Sequence, residues 1–399
     1  MKQIVIKYGT LSLSQQVLER QQGHAEKIAA YLPSHADIDG STGLLLSLFD
    51  PLSSAAVTAG AAAATTLGQI DHGVAVAVGD TGRDIQHADH KVQDEFHKLL
   101  GHLTGHSGGS TPYPDLGGPT LPAAGENAPD GYGDVNSFIW QKLDSAKGSV
   151  TSGVTDAEAL IHQLAHGSSG RVTELYDASS FLVTPNAPEN PVQDLRWSAG
   201  ALLGSIDWVA EKFVGFSILD RCVYHPLAGD WQGIYQASES WHHAADATSA
   251  IAKNHAGVVA NTPPTWEGQS GDSFRLAMTT ITGAAFELGT AYDAAAGLVH
   301  TISTVCKLAC IGIGKALQTI ADILLEMAAE AATPVIGWAV GAFEGYEQVQ
   351  KVIQNVRLCY TILETIGTAI QNFVSAKTAI LDKAAILENL LEGAARSAA

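Results

Sequence analysis

Residues 261–274 read Asn261-Thr-Pro-Pro-Thr-Trp266-Glu-Gly268-Gln-Ser-Gly271-Asp-Ser-Phe274. A long Ala-rich stretch of helical period precedes them, and another begins near Gly271. Pro263 and Pro264 end the first helix. Gly268 allows a backbone geometry that other residues resist, Asp272 or Ser273 is placed to cap the second helix, and Phe274 returns to the core. Trp266 falls where an indole closes the open end of two antiparallel helices by covering their apolar seam. The stretch is the turn of a helical hairpin, with its first helix over about 232–261.

Spacing carries the same architecture outward. Near the start, Leu11, Val17, Leu18, Gln21, Ala25, Ile28 and Leu32 recur mostly at three, four or seven until Pro33 stops the run. A loop with Asp37, Asp39, Gly40 and Pro51 leads into a second helical stretch over 52–100, rich in small residues at first and in charges later. Together they make an earlier hairpin. Toward the end, Val349, Val352, Ile353, Val356, Tyr360, Leu363, Ile366, Ile370, Phe373, Ile380 and Leu381 form one apolar stripe. Unbroken over 345–395, that helix is roughly 75 Å long. Strand signals are scarce.

The predicted fold is all-α: tandem long helical hairpins with a long C-terminal helix, in an elongated bundle. Its segments are an N-terminal hairpin over 1–103, a Gly/Pro-rich linker over 104–134, short helical stretches and a connector over 135–192, and a helical domain over 193–399.

Composition narrows the function. The 399 residues carry 22 Lys and Arg against 41 Asp and Glu, a net charge of −19. Nucleic-acid phosphates and anionic lipid surfaces are poor partners for such a chain. The first residues, MKQIVIKYGTLSLSQQ, contain no apolar run followed by a small-residue cleavage site, so no Sec signal peptide is expected. Val305–Leu325 is interrupted by Lys307, Lys315 and Asp322, and the apolar run 331–343 is too short to span a bilayer. Membrane contact through 305–343 stays open as an alternative. Cys306 and Cys310 lie four apart on a helix while Cys222 and Cys359 stand alone, which reads as buried free thiols.

Motifs of catalysis fail on context. Gly105-His-Ser107-Gly-Gly109 matches the nucleophile-elbow pattern, but that serine needs a strand before it and a parallel sheet behind it. His162-Gln-Leu-Ala-His166 has Gln163 where a zinc protease needs glutamate. His102 with His106, and His242 with His243, lack an evident third ligand. No enzyme, cofactor or metal is expected.

The tripeptide Trp266-Glu-Gly268 is weak by itself. Seven Trp and 40 Gly in 399 residues give about 0.7 Trp-x-Gly matches by chance, and a second, Trp231-Gln-Gly233, is present. The combination of turn, helix length and flanks is stronger. From Leu227-Ala-Gly-Asp-Trp231 through Phe274 the chain resembles the helical hairpin of the WxG superfamily of type VII (ESX) secretion substrates. Ala210-Glu-Lys-Phe-Val-Gly-Phe-Ser217 and Thr333-Pro-Val-Ile-Gly-Trp-Ala339 are similar to the N-terminal helical region of actinobacterial type VII-secreted toxins. The resemblance covers roughly 195–345, and 1–100 more loosely as a second hairpin of this type.

The resemblance implies export without a cleaved signal, the folded hairpin being recognised by a membrane ATPase, and a secreted or cell-surface destination. It implies the type VII machinery as partner, with a small WxG-type protein or self-association beside it. It also implies a Tyr-x-x-x-Asp/Glu signal after a hairpin. His90 and Asp94 hold that place with His for Tyr, whereas Tyr235…Glu239 and Tyr360…Glu364 match the spacing elsewhere. The expected function is a non-enzymatic secretion substrate acting through helix–helix association. The alternative is the membrane-inserting or pore-forming delivery region of a toxin without its catalytic domain.

Overall fold

A computed structural model describes residues 7–84 apart from 39 and 45, then 119–126, 153–165, 172–186 and 229–331 apart from 264. Single positions or short runs between 200 and 224 and between 350 and 387 are also described. Among the described residues, five α-helices have defined bounds, in chain order: α1 Tyr8–His35, α2 Asp50–Asp84, α3 Gly153–Ala165, α4 Trp231–Asn261 and α5 Gln269–Ala331. The described residues of 350–387 are helical as well. No strand occurs among the described residues, only an isolated antiparallel bridge between Thr42 and Gly229.

In α1 the anticipated apolar positions are buried: Leu11, Val17, Leu18, Ala25, Ile28 and Leu32. The helix does not stop at Pro33 but runs to His35. Pro33 removes one amide donor, yet the Tyr31 and His35 rings stack at 4.5 Å across the last turn, and the Ala36 N–H closes it on the Leu32 carbonyl. The 36–49 loop then buries Ile38, Leu46 and Phe49. Helix α2 ends at Asp84 among the described residues, so 85–100 of the anticipated second helix lie outside them.

The small residues of α2 let other elements come close. A Cβ on Gly60 would meet the Trp241 ring at 3.0 Å and Leu32 at 3.2 Å. The Tyr292 hydroxyl, from α5, donates to the Gly60 carbonyl at 2.6 Å. Trp241 and Tyr292 face each other with centroids 5.5 Å apart. Both hairpins, α1–α2 and α4–α5, therefore share one core although the sequence assigns them to separate segments.

Pairings fix the directions. Gly60 meets Trp241 and Asp71 meets His255, so α2 runs with α4. Gln21 meets Asn254 and Tyr31 meets His243, so α1 runs against α4. The start of α1 lies at the α4–α5 turn, where the Lys7 N–H donates to the Thr265 carbonyl at 2.9 Å. Helix α5, with 63 residues, is roughly 95 Å long.

Two differences from the sequence reading lie between the hairpins. Residues 172–177 lie outside any helix, within the 135–192 span read as short helical stretches and a connector, and a 3₁₀ turn follows at Ala178–Phe181. The reason is tertiary: Asn254 of α4 accepts from the Leu175 and Tyr176 N–H groups through Oδ1 and donates to the Tyr176 carbonyl through Nδ2. These bonds replace those a helix would supply. Residues 119–126, inside the anticipated linker, pack on α1 and bury Leu121.

Candidate functional site

The α4–α5 turn is built by local bonds before any long-range contact. Asn261, Thr262 and Thr265 return side-chain hydrogen bonds to the carbonyls of Gly257, Val259 and Thr262, and the Trp266 N–H donates to the Thr262 carbonyl at 2.8 Å. Gly268 adopts φ 113°, a left-handed geometry that costs a side-chain-bearing residue strain. Trp266 is fully buried, stacked on Phe274 at 4.9 Å and 28°. The anticipated trio Trp266, Gly268 and Phe274 is thus brought together.

Two further residues hold the indole. A Cβ on Gly271 would fall 2.5 Å from the Trp266 carbonyl oxygen and 3.2 Å from its Cδ1, so only glycine permits this approach. Arg275 donates from Nη1 to the Trp266 carbonyl at 2.9 Å and pairs with Asp272 through Nη2. The anticipated capping role of Asp272 or Ser273 is displaced. Helix α5 begins at Gln269, and the Asp272 N–H already bonds the Gly268 carbonyl. The sequence marks Gly271 only as a helix start, and Arg275 carries no sequence signal because its partner is a main-chain oxygen.

Trp231 and Gly233 stand at the other end of α4, roughly 45 Å away at 1.5 Å per residue. Their tripeptide is a helix entry. Asp230 caps α4, accepting from the Gln232 and Gly233 N–H groups at 3.1 Å each, and a Cβ on Gly233 would press on that carboxylate at 2.7 Å. Lys307 lies 4.9 Å over the Trp231 ring, and the Ser303 hydroxyl donates to the Trp231 carbonyl. The first hairpin's loop docks here: the Asp230 N–H donates to the Ser41 carbonyl. Cys306 and Cys310 are buried free thiols on α5 nearby, with Cys306 Sγ donating to the Gly229 carbonyl. A hydrogen bond with the Cys310 thiol, together with burial, pushes the Cys306 thiol well above its ordinary value, so it stays protonated.

A polar layer crosses the middle of the bundle and was not anticipated. Glu174, almost wholly buried, accepts from Arg20 Nη1 at 2.8 Å, from Gln21 Nε2 at 3.1 Å and contacts His24 Nε2 at 2.8 Å. Burial pushes the Glu174 carboxyl up, but hydrogen bonds from His24, Arg20 and Gln21 outweigh it and hold the group below the usual carboxylate range. Deeper in, Asp71 of α2 and His255 of α4 approach to 2.8 Å with both side chains 0% exposed. Burial pushes the Asp71 carboxyl up against the opposing pull of His255 and His24. An open cleft of about 560 Å³ lies beside Arg20, His24, Lys27, Ala123, Asp177 and Ser179.

The histidine pairs fall on separate contacts. His242 faces Asp293 at 2.7 Å on the surface. The Tyr31 hydroxyl donates to the Val183 carbonyl and so accepts from His243 Nδ1 at 2.9 Å. His162 lies in α3, while His90, Asp94, His102, His106, Ser107 and His166 lie outside the described residues. No group of three or more His, Cys, Asp or Glu suited to a metal occurs among the described residues. A scan against protein-family models and searches of curated proteins and of solved structures return no match to this chain.

Proposed function

We propose that this chain is a non-enzymatic type VII (ESX) secretion substrate that acts through helix–helix association, as a secreted or export-partner protein. The observation that carries the reading is the Trp266 turn: an indole buried at the tip of a two-helix hairpin, with Gly268 at positive φ and Phe274 stacked beneath it. In this reading the fold is an elongated bundle of two WxG-type hairpins, and α1–α2 is the companion of α4–α5 within one chain. The last described residue of α2, Asp84, lies toward the Trp266 end of the bundle, and the sequence bearing His90 and Asp94 follows it. The secretion ATPase is the expected partner at that end. A small WxG-type protein or a second copy is the expected partner along the described helical residues of 350–387, where Val374, Leu381 and Ile386 are exposed.

Export from an actinobacterial host with and without its type VII ATPase tests the proposal. Wild-type chain is expected in the medium only when the ATPase is present, with Trp266→Ala retained and Trp266→Phe, which keeps a stacked ring, exported. Export in both hosts, or retention in both, overturns it. One observation favours a second reading, membrane insertion: α5 contains a stretch within Gly271–Ile323 long and apolar enough to cross a bilayer, half of it buried in the bundle. Dye release from lipid vesicles by the purified chain separates the two, because a bundle that only associates leaves vesicles sealed.

A further inference from the structure

The geometry points to a peptide-docking groove on α1, filled here by the chain's own residues Pro119-Thr-Leu-Pro122 and open to an extended, proline-flanked, leucine-centred segment of a partner protein. The contacts are those of a recognised segment. Gln16 presents its amide edge-on to the backbone, Nε2 donating to the Pro119 carbonyl at 3.0 Å and Oε1 accepting from the Leu121 N–H at 2.8 Å. One turn along, Arg20 donates from Nη2 to the Leu121 carbonyl at 2.9 Å and from Nη1 to the Pro122 carbonyl at 2.6 Å. Every one of these bonds reads main chain, and the single side chain inserted is Leu121, 3% exposed.

The spacing explains the fit. Residues four apart on a helix rise about 6 Å, and two residues of a proline-rich extended chain also rise about 6 Å. Gln16 and Arg20 therefore meet successive backbone groups of an extended segment without strain in either partner. Prolines at both flanks fix φ and lower the ordering cost of docking. Arg20 is itself positioned by Glu174 at 2.8 Å, and Ser12 Oγ accepts from Gln16 Nε2 at 3.1 Å, so both reading groups are held in place. Past Pro122 the groove opens into the cleft lined by His24, Lys27 and Asp177, which has room for a side chain larger than the Ala123 that borders it.

A tethered occupant acts at an effective concentration of about 1 mM, so it masks a groove of modest affinity. The test uses the full chain and a fluorescein-labelled peptide of residues 117–126, read by anisotropy. With an intrinsic Kd of about 10–100 μM, Leu121→Asp, which expels the tethered segment, binds the peptide about 10–100-fold more tightly than wild type. Adding Gln16→Ala and Arg20→Ala to that variant abolishes binding, and a peptide carrying the same Leu121→Asp change does not bind. If Leu121→Asp loses its helical circular dichroism, the triple change Pro119→Gly, Leu121→Gly, Pro122→Gly replaces it, since it buries no charge. A folded, unmasked chain that shows no saturable binding, or binding indifferent to Gln16 and Arg20, overturns the proposal.

Discussion

Replacing Glu174 with Gln isolates charge from shape in the polar layer. The wild-type carboxylate joins α1 to the 172–177 segment through Arg20, Gln21 and His24. Breaking a buried ion pair costs about 3–5 kcal/mol. Here the Arg20 side chain is 37% exposed and keeps its bonds to the Leu121 and Pro122 carbonyls. Solvent screening and the surviving bonds reduce the expected loss to about 2 kcal/mol at pH 7. The carboxyl titrates below its ordinary 4.5 in the folded chain. Its contribution is therefore complete above that value and fades as pH falls through the lowered folded pKa. Urea unfolding followed at 222 nm should show wild type and Glu174→Gln differing by about 2 kcal/mol at pH 7 and converging in acid. A difference below about 0.5 kcal/mol at pH 7, or one equally large at pH 3, would refute the assignment.

Asp71 should behave in the opposite sense, because its folded carboxyl holds its proton to higher pH than its ordinary 3.8. That contribution is greatest in acid and falls as pH rises through 3.8 toward the raised folded pKa. Asp71→Asn then flattens the stability profile between pH 4 and 7 and leaves stability at pH 7 within about 1 kcal/mol of wild type or above it. Gly229→Ala, at φ 99° with its Cβ 2.5 Å from the Gly43 nitrogen, should cost about 2–3 kcal/mol in thermal melts. Gly297→Ala, with nothing within 4 Å of its Cβ, should gain about 0.5–1 kcal/mol. Asp230→Ala removes the α4 cap and should cost about 1 kcal/mol, read as earlier urea unfolding.

The hairpin of α4 and α5 was legible because its signals are local. Ala-rich spacing, the proline pair and the Trp266–Phe274 interval fall within one stretch, and α4 runs Trp231–Asn261 against an expected 232–261. What the sequence left hidden is addressed from far away. Asn254 looks like an ordinary polar helix position until the Leu175 and Tyr176 backbone arrives to meet it. Glu174 sits in a stretch that reads as helical, and Arg20, Gln21 and His24 of α1 give it a reason to be buried. Residues 119–126 carry a linker's composition because the groups that α1 recognises there are main-chain carbonyls and one N–H, which leave no side-chain signature.

The shared core imposes a wait during synthesis. The described part of α2 runs to Asp84, but Trp241 and Tyr292, which cover its Gly60 seam, come much later in the chain. At 5–20 residues per second the first hairpin stands alone for roughly 10–40 s before Tyr292 is made. At Gly60 and Asp71, which meet the second hairpin, the waiting surface is small and polar. A surface of large aliphatic side chains would bind its final partner more tightly and aggregate in the interval. The modest seam between the hairpins thus suits a half-made protein whose second half is still being translated.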